Sequence, residues 1–494
     1  MPAGHLPAAP EVFADLPPAR SDGARLRESI RALRTADSVL LGVLDDDPTG
    51  SQAVHGVEVV TAGGEEVYAA ALAGPAATCF VLTNTRSLAE PAASELAARV
   101  ARGLMGVADR LDGSRIQIVS RSDSTLRGHL VAEVRALQAA RRHVAGAGFD
   151  GVLLVPAFIE AGRLTAADIH WARTSSGLVP VGQTEFARDA AFGYASSDLK
   201  DFIAEKSGGA VSSAQVRSLS LADIRAGGPG KIRDVLAGLA AGAWLIANAT
   251  EYSDLEAVAY GALLAERDGK ALLYRTGPSF VRALAGLEPR EPLRGADLRW
   301  SRPGPGGHGL IVAGSHVAQT GRQLAVLRAR HRVADVELDV PALMAGRRAG
   351  EVAALAARQA TAALSRSDVL LYTSRTVASG RGAEDSLAVG RAVSAALASA
   401  AGQVVSAGRG PAWIVAKGGI TAHDVAVHGL RIRRAEVAGQ LFPGMISVFR
   451  PIDAAPAAMG VPYVVFPGNV GGDEALADVV HIMNGGVVNG SLVT

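Results

Sequence analysis

The amino-acid sequence predicts an α/β protein of two domains, each a mostly parallel sheet covered by helices. Short, continuous apolar runs alternate along the chain with longer segments in which apolar residues recur at helical spacing. This alternation is typical of parallel strands that are buried on both faces. The length of 494 residues exceeds the usual size of a single domain. We therefore expect two domains, with the ligands bound at the cleft between them.

Composition divides the chain into four parts. Residues 1–36 form an N-terminal extension, which begins rich in Pro and Ala and becomes helical over 22–35. The first domain is expected over 37–290. Residues 291–308 are dense in Pro, Gly and Arg, which is typical of a linker. The alternation of strand and helix then restarts, and it predicts the second domain over 309–494.

The strands of the first domain are expected in six apolar runs, namely 38–47, 77–87, 115–125, 151–158, 242–250 and 271–279. Helices are expected over 90–106, where Pro91 stands in the first turn, and over 126–143. In the second domain, strand, glycine turn and helix follow one another at 309–324, 412–430 and 461–483, with a further strand at 368–375.

Each of the first four strands runs directly into a polar cluster. The clusters read "DDDPTG", "TNTRS", "SRSDST" and "PAFIEAGR". Because ligands of open α/β sheets bind outside the carboxyl ends of the strands, we expect the four clusters to converge. Taken alone, "DDDPTG" is weakly specific, and a solvated turn is its more common interpretation. The convergence is what favours a binding site.

The side chains in these clusters indicate the kind of ligand. They combine carboxylates, hydroxyls and the guanidinium groups of Arg86, Arg121 and Arg127. Arginine grips carboxylates or phosphates in two places, and aspartate can accept the proton of an attacking hydroxyl. The mixture suits a small, anionic, hydroxylated substrate.

The second domain carries three glycine turns where strands meet helices, "AGSHVAQT", "AKGGITAHD" and "FPGNVGGDE". Backbone N–H groups at such turns bind phosphate, and glycine allows a close approach. None of the three has Walker A or G-x-G-x-x-G spacing. Three turns at equivalent strand ends nevertheless favour a nucleotide site. Lys417, before Gly418, would either contact a phosphate or simply be solvated.

Charge and cysteine content exclude several classes of protein. With 49 basic and 48 acidic residues the formal charge is +1, so neither nucleic acid nor a membrane surface is an expected partner. The one cysteine, Cys79, lies in an apolar run and is expected to be a buried small hydrophobe. Its single occurrence and the lack of a signal-peptide pattern fit a cytoplasmic location. The histidines show no metal-ligand spacing, so no metal ligand is assigned.

The motifs together resemble one known family. "LDDDPTGSQ", "TNTRSL", "SRSDSTLRGHL" and "PAFIEAGR" resemble the N-terminal substrate-binding domain of the four-carbon acid sugar kinase family. "AGSHVAQTGRQL", "AKGGITAHDV" and "PGNVGG" resemble its C-terminal nucleotide-binding domain. The resemblance implies an ATP-dependent kinase that phosphorylates a hydroxyl of a sugar acid such as erythronate, threonate or 3-oxo-tetronate. Phe466 stands where many members have a lysine.

The resemblance also implies site residues. Around the acid sugar it places Asp46, Asp47, Arg86, Asp123 and Arg127, and along the nucleotide Ser315, Gly418, Gly419, Thr421 and Gly468. Neighbouring positions add Asp45 and Ser122 to the substrate set and Lys417 to the nucleotide set. Asp46 or Asp47 is expected to orient or deprotonate the hydroxyl, and Mg²⁺ to bridge the ATP phosphates.

Two alternatives stay open at this point. The chain could be a nucleotide-dependent hydroxy-acid dehydrogenase, although no G-x-G-x-x-G turn is present. It could also be a sugar-acid sensor without catalysis, although three adjacent aspartates are hard to explain beside an anionic ligand. The amphipathic segment 183–209 would be a lid, an oligomer contact or part of a core. A homo-oligomer is therefore compatible with the sequence.

Overall fold

The computed structural model describes residues 9–47, 49–61, 63–298, 300, 307–315, 317–345, 347–374, 383–408 and 410–487. The chain divides into two compact units, Met1–Pro289 and Arg290–Thr494. Residues 299 and 301–306 of the predicted linker, and the first eight residues of the predicted extension, lie outside the described residues.

The main sheet of the first unit is entirely parallel, with strand order β2-β3-β1-β4-β11-β5-β10-β9. Its strands are β1 Val39–Asp45, β2 Glu58–Val60, β3 Thr78–Leu82, β4 Arg115–Arg121, β5 Gly151–Val155, β9 Arg217–Leu219, β10 Ala243–Ala247 and β11 Leu272–Thr276. A separate antiparallel sheet is formed by β6 Arg163–Ala166, β7 Ile169–Thr174 and β8 Gly177–Pro180. The sequence interpretation did not anticipate this small sheet.

Helices join the strands of the first unit. They are α1 Ala9–Ala14, α2 Gly23–Ala36, α3 Glu65–Leu72, α4 Glu90–Gly106, α5 Leu130–Ala145, α6 Leu199–Lys206, α7 Gly228–Ala237, α8 Tyr252–Arg267 and α9 Pro278–Ala285. The prediction for α4 is confirmed to the residue. Helix α5 begins four residues later than predicted, because Leu126 and Gly128 have φ angles of 68° and 119°, which a right-handed helix cannot contain.

The second unit repeats the α/β pattern with strand order β13-β14-β12-β15-β18-β17-β16. Its strands are β12 Leu310–Ala313, β13 Val333–Leu338, β14 Asp368–Thr373, β15 Ile414–Lys417, β16 Arg434–Phe442, β17 Ile446–Asp453 and β18 Tyr463–Phe466. The first five strands of this order are parallel, whereas β17 pairs antiparallel with both β18 and β16. The helices are α10 Ala318–Arg330, α11 Val340–Met344, α12 Ala349–Leu364, α13 Ala383–Ser406, α14 Gly419–Asp424 and α15 Ala475–Met483.

Each unit has its own apolar core. In the first unit, side chains of the main sheet pack against α4 and α5, and Cys79 is fully buried among them, as predicted. Tyr194 and Phe202, from the amphipathic segment 183–209, belong to this core and stack edge to face at 5.3 Å between ring centroids. That segment therefore contributes to ordinary packing. In the described part of the chain, no helix has the length and apolar character needed to cross a membrane.

Candidate functional site

The first three polar clusters meet at one edge of the first unit's main sheet. Strands β3, β1 and β4 are parallel neighbours, so their carboxyl ends lie side by side. Arg86, on a short turn after β3, places Nη2 2.9 Å from Asp46 Oδ1 and 2.9 Å from Asp47 Oδ2. Its Nη1 lies 3.9 Å from Asp123, which follows β4. The convergence predicted for these clusters is found in the structure.

Asp45 ends β1 and is fully buried. Its Oδ1 accepts hydrogen bonds from Arg121 Nη1 at 2.8 Å and from the N–H of Asp47 at 3.1 Å. Gly50 makes this packing possible, since a Cβ there would overlap the Asp45 carboxylate. Burial raises the pKa of Asp45 to about 7, and Arg121 opposes that rise. Asp45 holds Arg121 through Oδ1, whereas its Oδ2 has no hydrogen-bond partner among the described residues, so its contact with a substrate stays a prediction.

Asp46 combines burial with a free oxygen. Its Oδ1 faces Arg86, and it also lies 3.6 Å from Arg121 Nη1. Its Oδ2 is buried and has no hydrogen-bond partner among the described residues. A Cβ on Gly128 would lie 3.1 Å from this oxygen, so glycine keeps the space open. Burial raises the pKa of Asp46 against the effect of nearby guanidinium groups. Such a carboxylate can accept a hydroxyl proton.

Asp47 is the most exposed of the three aspartates, with 28% of its side chain accessible. Its Oδ1 accepts hydrogen bonds from the N–H and the hydroxyl of Thr49, both at 2.7 Å. Burial works to raise the pKa of Asp47, but Arg86 and Thr49 contribute to lowering it overall. Asp47 is therefore an ionised acceptor that is already held in place, and a weaker base than Asp46.

The "SDSTLRG" loop after β4 carries the next part of the site. Asp123 accepts hydrogen bonds from Arg127 Nε at 2.7 Å and from the hydroxyl of Thr125. Burial works against ionisation, but the guanidinium groups of Arg86 and Arg127 lower the pKa of Asp123 to about 2. Ser122 is bonded to the end of β11, because its N–H donates to the Thr276 carbonyl at 2.8 Å and its hydroxyl donates to the same oxygen at 3.3 Å; its contact with a substrate stays a prediction.

Arg127 is one-quarter exposed and lies against the segment that follows the small sheet. Its guanidinium carbon is 5.2 Å from the centroid of the Phe186 ring, and its Nη1 is 3.7 Å from Asp189. Arg163, from the fourth polar cluster, lies 5.7 Å from the same ring. Two arginines thus flank one aromatic ring, which provides positive charge at the margin of the carboxylate cluster.

The rest of the fourth cluster forms its own network. Glu160 accepts hydrogen bonds from the hydroxyls of Tyr252 and Ser279, and lies 3.5 Å from Arg282 Nη1. The Arg282 guanidinium stacks over the Tyr252 ring at 3.9 Å. The fourth cluster therefore joins the others through Arg163, while Glu160 ties the ends of β5, β10 and β11 together.

In the second unit, four of the predicted nucleotide residues are neighbours. Gly418, between β15 and α14, has a φ of 116°, and a Cβ there would lie 3.1 Å from Ser315 Cβ and 3.2 Å from Thr421 Oγ1. A Cβ on Gly468 would lie 2.9 Å from Ser315 Oγ. Gly419 is the first residue of α14. The three glycine turns of the sequence therefore come together at the ends of β12, β15 and β18.

The loop 468–472 after β18 is held from one side by α10. Gln323 Nε2 donates to the carbonyls of Val470, Gly471 and Gly472 at 2.9–3.2 Å, and Thr320 donates to the carbonyl of Gly468 at 3.2 Å. In the described part of the chain, the N–H groups of residues 468–472 donate no hydrogen bond. A loop with bound carbonyls and free N–H groups is suited to bind an anion.

Lys417 does not face this loop as a free cation. Its side chain is fully buried; Nζ donates to the Pro467 carbonyl at 2.7 Å and lies 3.8 Å from the centroid of the Phe466 ring. Burial lowers the pKa of Lys417 to about 7. The expectation of a solvated side chain is therefore wrong, whereas the expected phosphate contact stays a prediction. Lys417 stabilises the turn after β18 through its bond to the Pro467 carbonyl.

Two family models match the chain, one in each unit. A sugar-binding N-terminal domain matches residues 41–284. A nucleotide-binding C-terminal domain matches residues 310–476. The chain belongs to the four-carbon acid sugar kinase family. The cluster around Arg86 lies within the matched sugar-binding domain, and the loops around Gly418 lie within the matched nucleotide-binding domain.

Solved structures share the fold of this family member. Haemophilus influenzae protein HI1011, of the DUF1537 family, is 16% identical with a TM-score of 0.58, covering 89% of this chain and 99% of its own. A protein of Salmonella typhimurium LT2, provisionally named a tRNA synthase, is 16% identical with a TM-score of 0.63, covering 90% and 98%. No curated protein matches the chain in sequence. At this identity the two structures support the fold alone.

Sequence reasoning missed residues that act on the site from a distance. They are Gly50, Gly128, Arg121 as the partner of Asp45, His170, Tyr194, Phe186, Asp189 and Gln323. None belongs to a pattern that marks chemistry, except the glycines and Arg121, which stand within the quoted motifs. Their roles depend on contacts between segments far apart in the chain.

Proposed function

We propose that the chain is an ATP-dependent kinase that phosphorylates a hydroxyl of a small, four-carbon sugar acid such as erythronate, threonate or 3-oxo-tetronate. The observation that carries the proposal is the network of Asp46, Asp47, Asp123, Arg86 and Arg127 within the sugar-binding domain. It combines hydroxyl acceptors with guanidinium groups, as an anionic polyol requires. The nucleotide-binding domain in the same chain would bind the second substrate, ATP.

Arg127 is the best candidate to bind the carboxylate of the acid. Arg86 is already surrounded by three aspartates, whereas Arg127 is more exposed and keeps Nη1 at 3.7 Å from its weaker partner, Asp189. Arg163 lies 5.7 Å from the centroid of the same Phe186 ring and adds positive charge there. A planar guanidinium binds a carboxylate through two parallel hydrogen bonds, which gives orientation as well as affinity.

Asp46 is the best candidate to orient the reacting hydroxyl. Its buried Oδ2 has no partner among the described residues, and its pKa is raised, first of all by burial. Phosphoryl transfer depends mainly on positioning and on charge stabilisation, so an acceptor that fixes the hydroxyl can matter as much as one that removes the proton. Asp47, held by Thr49, would accept a second hydroxyl of the sugar acid.

ATP would bind the second unit through its phosphates. The free N–H groups of 468–472 and the adjacent Ser315, Gly418 and Thr421 fit a phosphate group. Mg²⁺, when bound with ATP, neutralises phosphate charge. Among the described residues no group of three metal-ligating side chains stands together, so the ion would be held mainly by phosphate oxygens and water.

The test is an ATP-consumption screen over four-carbon and neighbouring sugar acids, with Asp46→Asn as the inactive reference. We expect turnover with at least one sugar acid and loss of that turnover in the variant. Thermal protection by ATP or by NADH, measured separately, distinguishes a kinase from a dehydrogenase. Sugar-acid binding without ATP consumption would instead indicate a sensor, and no binding of either ligand would contradict the proposal.

A further inference from the structure

The "SDSTLRG" loop adopts a backbone that its sequence does not favour. Leu126 is a buried leucine with a φ of 68°, in the left-handed region that non-glycine residues rarely occupy. Its N–H closes a turn on the Asp123 carbonyl at 3.0 Å. Strained backbone of this kind persists only where surrounding contacts determine it, and it is concentrated at functional sites. The loop must therefore be held in place by contacts with the rest of the first unit.

His170 provides one such contact from the small antiparallel sheet. It lies on β7, directly opposite Thr165 on β6, and is fully buried. Its Nε2 is 2.8 Å from the Ser124 carbonyl, and its Nδ1 is 2.9 Å from Thr165 Oγ1. A carbonyl can only accept, so Nε2 carries the proton and donates it, while Nδ1 accepts from the Thr165 hydroxyl. The neutral ring is thus fully bonded.

Tyr194 provides a second contact, from a different segment. Its hydroxyl donates to the Thr125 carbonyl at 2.6 Å. The ring is buried and stacks edge to face on Phe202 of α6, so its position is fixed by the core. Two consecutive carbonyls of the loop are therefore held by two buried side chains that are remote in sequence.

The fixed peptides lie between the charged ends of the loop. Asp123 precedes them and Arg127 follows them, and the two side chains are paired at 2.7 Å. The loop then reaches Gly128, whose space borders the free oxygen of Asp46. A shift of the two carbonyls would move Asp123, Arg127 and the wall beside Asp46 together.

We infer that His170 and Tyr194 are positioning residues that hold the strained "SDSTLRG" loop in the conformation that presents Asp123 and Arg127 to the sugar acid. This inference depends on the proposed function only in naming the ligand, a sugar acid. The small sheet, which no part of the proposed reaction uses directly, thereby gains a role as the support of the substrate loop.

A pair of substitutions at one position separates positioning from general stability. The amide nitrogen of glutamine can reach the place of imidazole Nε2, whereas the shorter asparagine reaches only that of Nδ1. His170→Gln therefore keeps a donor for Ser124, and His170→Asn keeps only the contact with Thr165. Tyr194→Phe removes one hydroxyl and leaves the ring, with Tyr260→Phe on α8 as its control.

Two measurements are made on each full-length variant. Hydrogen exchange followed by mass spectrometry reports the loop 122–128 without any ligand, with α4 and α5 as internal references for folding. Calorimetry with D-erythronate and, separately, with ATP reports binding. For His170→Asn and Tyr194→Phe we expect exchange in the loop to quicken and D-erythronate affinity to fall, each by about tenfold, the scale of one hydrogen bond. ATP affinity should be unchanged, and His170→Gln should resemble the parent chain.

Unchanged loop exchange in both His170→Asn and Tyr194→Phe would overturn the inference. So would equal damage by His170→Gln and His170→Asn, because a purely structural role would not distinguish them. If the parent chain binds no D-erythronate, the exchange measurement still decides the inference, whereas the proposed function fails on its own test.

Discussion

The two candidate sites of the chain are built from different groups. The site of the first unit consists of charged side chains that neutralise one another. Arg86, for example, is paired to Asp46 and to Asp47, each at 2.9 Å. The site of the second unit consists of glycines, hydroxyls and a loop whose carbonyls are bound by Gln323 and Thr320. Buried charges need partners and buried backbone carbonyls need donors, so each site is organised before any ligand arrives.

This difference has consequences for substitution. At the first site, the loss of one charge leaves its partner buried and unpaired, and the effect should fall on the sugar acid. At the second site, no single side chain carries the binding, and the sensitive change is an added atom where the backbone needs space. If the two sites differ in this way, a substitution at one site should leave ligand binding at the other unchanged.

The largest effect is expected at the aspartates. Asp46→Asn should lower turnover by at least about 100-fold, the usual scale for a lost general base, while ATP binding and the fold survive. Asp47→Asn should lower it by a comparable factor, because it weakens the acceptor that positions a second hydroxyl of the sugar acid. Asn keeps the shape of the side chain but loses the charge that Arg86 and the reacting hydroxyl require. Steady-state kinetics and ATP calorimetry check this, with the exposed Asp109→Asn as control. Near-normal turnover in both variants would remove the carboxylates from the chemistry.

The second-largest effect is expected where an added side chain would fill the space beside the backbone of the nucleotide loops. Gly468→Ala should weaken ATP binding by roughly 30-fold, because its Cβ would lie against Ser315 and block phosphate contacts to nearby N–H groups. Sugar-acid affinity should stay as it was. Gly350→Ala on α12, where an added Cβ meets nothing within 4 Å, is the matched control. A Gly468→Ala variant that melts normally and binds ATP normally would place the nucleotide elsewhere.

Much of the first site could be predicted because its residues follow strands directly. Parallel order brings the ends of β3, β1 and β4 together, so the positions of Asp46, Arg86 and Asp123 follow from the sequence pattern and the sheet. The inward turn of Asp45 could not be predicted in the same way. It depends on the space at Gly50 and on Arg121, whose side chain is nearly fully buried.

Other parts of the fold lay beyond sequence patterns. The antiparallel strands β16 and β17 carry register shifts between Arg434 and Ala435 and between Val437 and Gly439, and such bulges interrupt the alternation that marks a strand. The small sheet β6–β8 consists of strands of four to six residues joined by tight turns. His170 stands in this sheet, and only the folded chain shows that it reaches the loop after β4.

A smaller effect is expected when a side chain keeps its positive charge but its charged group changes shape. Arg127→Lys should weaken sugar-acid binding by roughly tenfold, since lysine cannot make the two parallel bonds of a guanidinium. ATP binding should be nearly intact, because Arg127 belongs to the first unit. Calorimetry with each ligand decides, with the exposed Arg102→Lys on α4 as control. A fall in ATP affinity instead would reverse the assignment of ligands to units.

The smallest effect tests whether the second site uses a charge at all. Burial lowers the pKa of Lys417 to about 7, whereas in the unfolded chain it returns to about 10.4. Between these values the unfolded chain binds more protons than the folded one, so stability should rise with pH from about 7 to about 10. Below pH 7 both states are protonated, and this group adds no further dependence.

Lys417→Met should flatten this rise while ATP affinity stays close to normal, because the ammonium group faces the Pro467 carbonyl and the Phe466 ring. The melting temperatures of the parent protein and of Lys417→Met are measured from pH 6 to pH 10. Because other groups titrate alike in both proteins, their contribution cancels in the difference between the two melting temperatures. Lys270→Met in the first unit, which also loses a bond to a main-chain carbonyl, is the control. Parallel pH profiles would contradict the buried neutral amine. If Lys417→Met melts like the parent protein but loses most of its ATP affinity, Lys417 is a phosphate ligand. The sites of the first and second units would then both depend on charged side chains.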